Sequence, residues 1–350
     1  MPEEGTMSIT IPKGYKPALD QRMTERAIKF VKDTFERELA SELRLSRVTS
    51  PRFVKANSGI NDDLNGVERP VRFNVGNMNE QPMEIVQSLA KWKRMALADL
   101  GFSAGTGIYT DMDAIRPDDD IDNIHSIYVD QWDWERVMGP DERNLDFLKK
   151  IVCGVYEVIK RTEFLVAQNY PSCTQTLPEH IKFIHAEEAR TLYPDLTPVE
   201  REKKLAKEYG AIFIIGIGMP LTDGVFHGGR APDYDDWSTP NSDGFYGLNG
   251  DIIVWDSVRN DSLELSSMGI RVSPQSLLNQ LEIRGCKERA DLYWHRRLLA
   301  GEYPQTIGGG IGQSRICMFL LRKAHIGEVQ ASVWPEEDRL AAKQAGIDLM

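Results

Sequence analysis

An α+β fold built around a mostly antiparallel sheet is what this sequence predicts, and three observations carry the prediction. Several strand-like segments follow one another without a helix between them, while the helices come in blocks at the start, middle and end. The longest apolar run, Ala211 to Gly218 (AIFIIGIG), falls well short of the roughly 20 residues a membrane-spanning helix needs, so it reads as a buried strand. GGGIGQSR, Gly308 to Arg315, opens a helix near the C-terminus with no βαβ unit and no acidic ribose contact after it, which removes a Rossmann reading. No Pro/Ser/Gly linker divides the chain, so residues 18–350 read as one catalytic domain behind a loose extension, 1–17.

In chain order, Asp20 through Leu43 sets Ile28, Val31, Phe35, Leu39 and Leu43 at the three-and-four spacing of an amphipathic helix. Alternation at Val71, Phe73 and Val75 gives a strand, and Gln87 to Leu100 a helix that Gly101 ends. Strands are expected over 107–115 and 124–134, a helix over 141–168, a strand over 181–184 and a helix over 198–209. The buried strand at 211–217 precedes strands over 251–254 and 263–272, and helices over 274–281, 287–300 and 312–323 follow.

Composition narrows the function. With 42 Lys+Arg against 53 Asp+Glu the net charge is -11, so no whole-molecule positive field gathers nucleic acid or anionic membrane. Cys153, Cys173, Cys286 and Cys317 are scattered without a CxxC pair, which argues against a zinc site or disulfide scaffold and for reduced thiols. The start of the chain, MPEEGTMSIT, lacks a signal-peptide core, and a cytoplasmic protein is expected.

Three segments carry chemistry. In AIRPDDDIDNIHSIYVDQWDWE, Ala114 to Glu135, two strands joined by the acidic loop 117–123 form a hairpin with Arg116 at the end of the first. Period two places His125, Ile127, Val129, Gln131 and Asp133 on one face of the second strand, although ordinary surface hairpins also carry such charges. In the strand pair of Asp251 to Arg271, Asp251 and Glu264 are expected to meet across adjacent strands. Two facing carboxylates repel unless a cation lies between them, and such hard oxygens suit Mg²⁺ on a polyphosphate. GGGIGQSR puts four glycines within five residues before a helix, where backbone N–H groups and Arg315 would favour phosphate; a glycine turn packing helix on sheet is the plainer alternative.

Runs such as SLAKWKR, YVDQWDWERVMG, RAPDYDDWSTP, GLNGDI, ELSSMGIRV and PQTIGGGIGQSR closely resemble the ammonia-dependent (type A) asparagine synthetases over roughly residues 18–336. That family is in turn similar to the catalytic domain of class II aminoacyl-tRNA synthetases, the aspartate, asparagine and lysine subgroup above all. The resemblance implies the class II fold and a homodimer joined through motif 1, the helix from Asp20 with the strand Val48 to Pro51. It also implies an ATP-dependent reaction with Mg²⁺, in which aspartate becomes β-aspartyl-adenylate and ammonia then expels AMP.

Site residues follow from the same resemblance. Arg116, in motif 2, holds the α-phosphate, and Arg315, in motif 3, lies along the nucleotide, with Asp133, Gly310 and Gly312 completing the ATP site. Asp251 and Glu264 carry Mg²⁺. Asp62 holds ammonium and takes up its proton, and Gln131 orients the acyl group. Lys93 and Arg271 bind the carboxylates of aspartate, Asp235 its α-ammonium, and Ser88 and Ser267 join them. Gln87, Ser88 and Lys93 echo a Gln-Ser-Pro-Gln-x-x-Lys stretch from which Leu89 and Ala90 depart. Where that family often reads Gln-Asp-Asn, this chain has Asn61, Asp62 and Asp63.

Two rivals share these residues. An aspartyl- or asparaginyl-tRNA synthetase uses the same adenylation site, but usually carries an anticodon-binding barrel before motif 1, and the acidic net charge disfavours tRNA. An inactive amino-acid-binding paralogue is expected to lose Arg116, Glu264 or Arg315, all present. The chain begins Met1-Pro2 and its cysteines are internal, so the N-terminal-cysteine route to glutamine nitrogen is not expected and ammonia is the donor.

Overall fold

The computed structural model describes residues 9–62, 64 and 68–350. In chain order the strands are β1 (Leu45–Arg47), β2 (Phe53–Lys55), β3 (Arg72–Val75), β4 (Gln81–Ile85), β5 (Gly107–Ile115) and β6 (Tyr128–Val137). They continue with β7 (Lys182–His185), β8 (Ala211–Ile215), β9 (Asn249–Asp256), β10 (Asp261–Ile270) and β11 (Thr306–Gly312). The α-helices are α1 (Gln21–Leu43), α2 (Ala90–Asp99), α3 (Leu145–Asn169), α4 (Ala186–Leu192), α5 (Pro198–Tyr209), α6 (Pro274–Ile283), α7 (Tyr293–Leu299), α8 (Gln313–Leu320) and α9 (Glu336–Gln344).

Eight strands form the main sheet in the order β1-β5-β6-β11-β10-β9-β8-β7, antiparallel except at its two edges, where β1 runs parallel to β5 and β7 to β8. Antiparallel β2, β4 and β3 make a small second sheet. One face of the main sheet is apolar, with Trp132, Trp134, Ile252, Val254, Ile307 and Ile311 packing under α1, α3 and α8. The helix α1 starts where Asp20 Oδ1 accepts the Met23 N–H (2.7 Å) and stops at Arg44 in the left-handed region. Between those caps Ala27, Val31, Phe35, Leu39 and Leu43 are buried at four-residue intervals, and the Phe35 ring stacks on Trp132 at 4.5 Å. Truncating so enclosed an aromatic costs about 3–5 kcal/mol.

Several expectations shift. The motif 1 strand is β1, three residues before Val48, and the helix expected over 287–300 is interrupted, with a 3₁₀ turn at Lys287–Asp291 before α7. β6 begins at Tyr128 and not at residue 124, because Asp122 Oδ1 accepts the N–H groups of both Ile124 and His125 and folds them into the loop. Residues 9–17 are not loose: Ile9 is buried with Ala324, Ala342 and Ile347, and Tyr15 donates from its hydroxyl to Glu328 (3.0 Å).

The largest correction concerns the glycines. Gly308 to Gly312 lie in β11, a central strand between β6 and β10, and not in a phosphate loop. A Cβ on Gly308 would come within 1.9 Å of Glu135 Oε2, and one on Gly310 within 2.3 Å of Gln131 Oε1. Side chains of β6 therefore lie across the glycine strand, which keeps the polar face of the sheet open.

Candidate active site

That polar face holds a cleft of about 540 Å³ above β6, β11 and β10. Its walls bring together Asp62, Ser88, Arg116, Gln131, Asp235, Glu264, Ser267, Arg271, Gly310, Gly312 and Arg315, all but three of the expected residues.

Across the floor runs an unbroken chain of alternating charge. Asp133 pairs with Lys93, which lies 3.7 Å from Glu135, and Glu135 accepts from Arg271 at 2.9 Å. Arg271 also pairs with Asp235, Asp235 lies 3.5 Å from Arg230, and Arg230 reaches Asp251 at 2.6 Å. Burial works to raise the Glu135 carboxyl, but Arg271, Lys93 and Thr306 outweigh it and hold the group below its ordinary pKa. At Asp235 burial prevails over Arg271 and Arg230, and its pKa is raised. Burial opposes the charge of Arg271, yet Glu135 and Asp235 leave its pKa raised. Arg271 beside Asp235 thus presents a cation and an anion side by side, complementary to an amino-acid zwitterion.

Arg116 and Arg315 line the same cleft. Arg116 directly follows β5 and donates through Nε and Nη2 to the Gln87 carbonyl, at 3.2 and 2.9 Å. Arg315 donates to the Glu264 carbonyl oxygen and lies 3.8 Å from its carboxylate. Asp118, Asp119 and Asp120 of the hairpin loop close the cleft here. Desolvation, then the nearby Asp251, raises the pKa of the Glu264 carboxyl, although that side chain keeps 44 % of its surface exposed to the cleft.

Three expected contacts lie elsewhere. Lys93 is fully buried, and its ammonium donates to Asp133 and to the carbonyls of Trp134 (2.9 Å) and Gly309 (3.2 Å), so its donors are spent within the fold. Asp133, which also accepts the Leu89 N–H, is sealed beneath the floor with it. The pair holds α2 against β6 and β11, because an ammonium this deep needs its counter-charge in place. Asp251 stands opposite Ser267 and Glu264 opposite Ile253, and the register of β9 and β10 slips between Glu264 and Ser266. The slip is a β-bulge that lets Glu264 and Ser267 both face the cleft while Leu263, Leu265 and Met268 stay in the core. Gln87 is buried outside the cleft lining, and Asp63 lies outside the described residues.

Comparison with known proteins places this geometry. The family model described as Aspartate-ammonia ligase matches residues 22–346. The chain belongs to the aspartate-ammonia ligase family. It is 59% identical to the aspartate-ammonia ligase of Parabacteroides distasonis over 97% of this chain and 98% of that one, and 54% identical to that of Clostridium perfringens with the same coverage. Among solved structures, the asparaginyl-tRNA synthetase of Pyrococcus horikoshii complexed with asparaginyl-adenylate matches with a TM-score of 0.66 at 16% identity, covering 89% of this chain and 70% of that one. The Entamoeba histolytica asparaginyl-tRNA synthetase matches with a TM-score of 0.63 at 16% identity, covering 89% and 66%. The fold is thus that of class II aminoacyl-tRNA synthetase catalytic domains, on a chain spanning about two thirds of those longer proteins.

In this ligase, sequence reasoning missed Arg230 and Glu135. Arg230 opens the RAPDYDDW run, and Glu135 continues the period of Gln131 and Asp133 one step further. Both signals were present, but only the folded pairing shows that these residues link Arg271 and Asp251 into one network.

Proposed function

We propose that this ligase makes L-asparagine from L-aspartate, ATP and ammonia through a β-aspartyl-adenylate, releasing AMP and pyrophosphate. One observation carries the reading: a single cleft brings the Arg271–Asp235 pair together with Asp62, Arg116 and Arg315. Arg271 takes the α-carboxylate and Asp235 the α-ammonium, leaving the β-carboxylate to point towards Arg116. Its oxygen attacks the α-phosphorus, the bond to the bridging oxygen breaks, and pyrophosphate leaves. Arg116 and Arg315, fixed beforehand, offset the charge that grows on the α-phosphate. Gln131, lying over Gly310, holds the acyl carbonyl while ammonia, taken up beside Asp62, attacks that carbon and AMP departs.

Asp251 and Glu264 suit a divalent cation brought by ATP. Glu264 keeps 44 % of its side chain open to the cleft, Asp251 is held on the next strand by Arg230 at 2.6 Å, and hard carboxylate oxygens of this kind favour Mg²⁺, which when bound would neutralise the phosphates. We read the protein as a cytoplasmic homodimer. All four cysteines are free thiols, and among the described residues no helix is long and apolar enough to cross a membrane. The short β1 edges the main sheet with one side unpaired among the described residues, the kind of edge a second copy can cover.

The test incubates the purified protein with Mg-ATP and aspartate and adds ammonium or glutamine. Asparagine together with AMP in the ammonium arm is expected. No asparagine in either arm, or ADP in place of AMP, would overturn the reading.

A further inference from the structure

A second, smaller hollow of about 270 Å³ adjoins the cleft, and Asp62 and Glu68 line both. Its far wall is polar and buried. Asp233 Oδ2 accepts from Lys91 Nζ at 3.0 Å and lies 2.8 Å from His295 Nε2, with Arg289 3.9 Å away. In neutral His295 the proton therefore sits on Nε2, facing Asp233, and Nδ1 is the ring's acceptor. His295 and Asp233 are each only 1% exposed, yet His295 Nδ1 and Asp233 Oδ1 have no hydrogen-bond partner among the described residues. Buried acceptors left this way are costly, and a ligand that brings N–H donors repays them.

The orphaned acceptors of the hollow fit one small guest. Among the described lining residues four carboxylates, Asp62, Glu68, Glu84 and Asp233, face three fixed cations, Arg72, Lys91 and Arg289. Ammonium has four N–H donors, no acceptor and one positive charge, so it can satisfy orphaned acceptors that a carboxylate or phosphate would repel.

We propose that this hollow is an ammonium-binding antechamber in which His295, oriented by Asp233, removes the proton that makes ammonium non-nucleophilic. The inference deepens the ligase reading and rests on it. Ammonium gives one proton to His295 Nδ1. The resulting ammonia passes Asp62, its lone pair forms the C–N bond to the adenylate carbon, and the C–O bond to AMP breaks with its electron pair on AMP. The second proton, shed by the new nitrogen as the amide forms, goes to Asp62. The imidazolium is stabilised by Asp233, to which it is already bonded, and returns its proton to water.

The test uses His295→Gln, which keeps a polar side chain but cannot carry the proton, with two nucleophiles. Ammonium is almost wholly protonated at neutral pH, whereas hydroxylamine is largely free base and needs no proton removed beforehand. The kcat/KM for ammonium should fall about a hundredfold or more, while hydroxamate formation and aspartate-dependent pyrophosphate exchange stay within about threefold. Equal losses with both nucleophiles, exchange being intact, would overturn the proposal. If the variant loses exchange as well, the unaltered protein decides. Ammonium chloride, and not potassium chloride, should shift the ¹⁵N resonance of His295 Nδ1, and no shift would overturn the proposal. Failure of the ligase reading is separately visible, as a wild-type protein that makes no asparagine at all.

Discussion

At Arg116 one substitution separates chemistry from folding. Its guanidinium is half-buried, donates to the Gln87 carbonyl alone among the described residues, and lines the cleft. Arg116→Ala should lower aspartate-dependent pyrophosphate exchange at least a hundredfold and leave the sedimentation of the protein unchanged, since a fixed cation at developing charge is worth several kcal/mol. The glycines of β11 make a second, graded test. In Gly310→Ala the new methyl meets the movable amide of Gln131, so asparagine formation should fall while the unfolding free energy changes by less than about 1 kcal/mol. In Gly308→Ala it meets Glu135, which Arg271 and Thr306 hold in place, and stability itself should drop by about 1–3 kcal/mol. Denaturant melts of both variants beside their asparagine yields check the contrast. Most of the cleft was legible because its motifs resemble those of a known family; charge and spacing alone pointed to the hairpin with Arg116, to Asp251 and Glu264, and to the glycine run with Arg315. Lys93 and Asp133 were not, since no sequence pattern tells a buried ion pair from two ligand-facing charges.

Among the elements, α5 and β5 match the sequence expectation end to end, the first because Thr197, Glu200 and Pro198 write a complete capping box and Gly210 stops it. The short strands β2 and β4 and the helices α4 and α9 escaped notice, being too brief for periodicity to register. β11 was hidden for another reason: glycine has no side chain with which to alternate, and its strand identity comes from pairing with β6 and β10. The bulge in β10 likewise breaks the period-two rule where Glu264 and Ser267 face the same way. The turn before α9 carries a pH-dependent prediction. His325 accepts the Gly327 N–H at Nδ1, packs on Trp334, and burial pushes its pKa down from 6.5 to about 4. Its proton binds first to the unfolded chain, so stability present above pH 6.5 is lost as pH falls towards 4, by roughly 3 kcal/mol at most. Thermal unfolding from pH 7 to pH 5 should therefore show a smaller loss in His325→Asn than in the wild type. Equal losses would remove His325 as the cause.

Over the whole molecule, a chain of net charge -11 brings Arg116, Arg230, Arg271 and Arg315 into the cleft proposed to take ATP. The sheet makes this possible by keeping one face apolar under α1, α3 and α8 and leaving the other for a charge network from Asp133 to Asp251. Burying these charges is costly; their pairing in alternating sign offsets that cost and leaves no rearrangement for when the substrates arrive. The central claim is that the β-carboxylate of aspartate is the group joined to the α-phosphorus. Aspartate labelled with ¹⁸O in the β-carboxylate, incubated with ATP and ammonium, tests it most directly by mass spectrometry of the products. One ¹⁸O atom should appear in AMP and none in inorganic phosphate or pyrophosphate. Label recovered in inorganic phosphate alongside ADP, or AMP formed without label, would contradict the account.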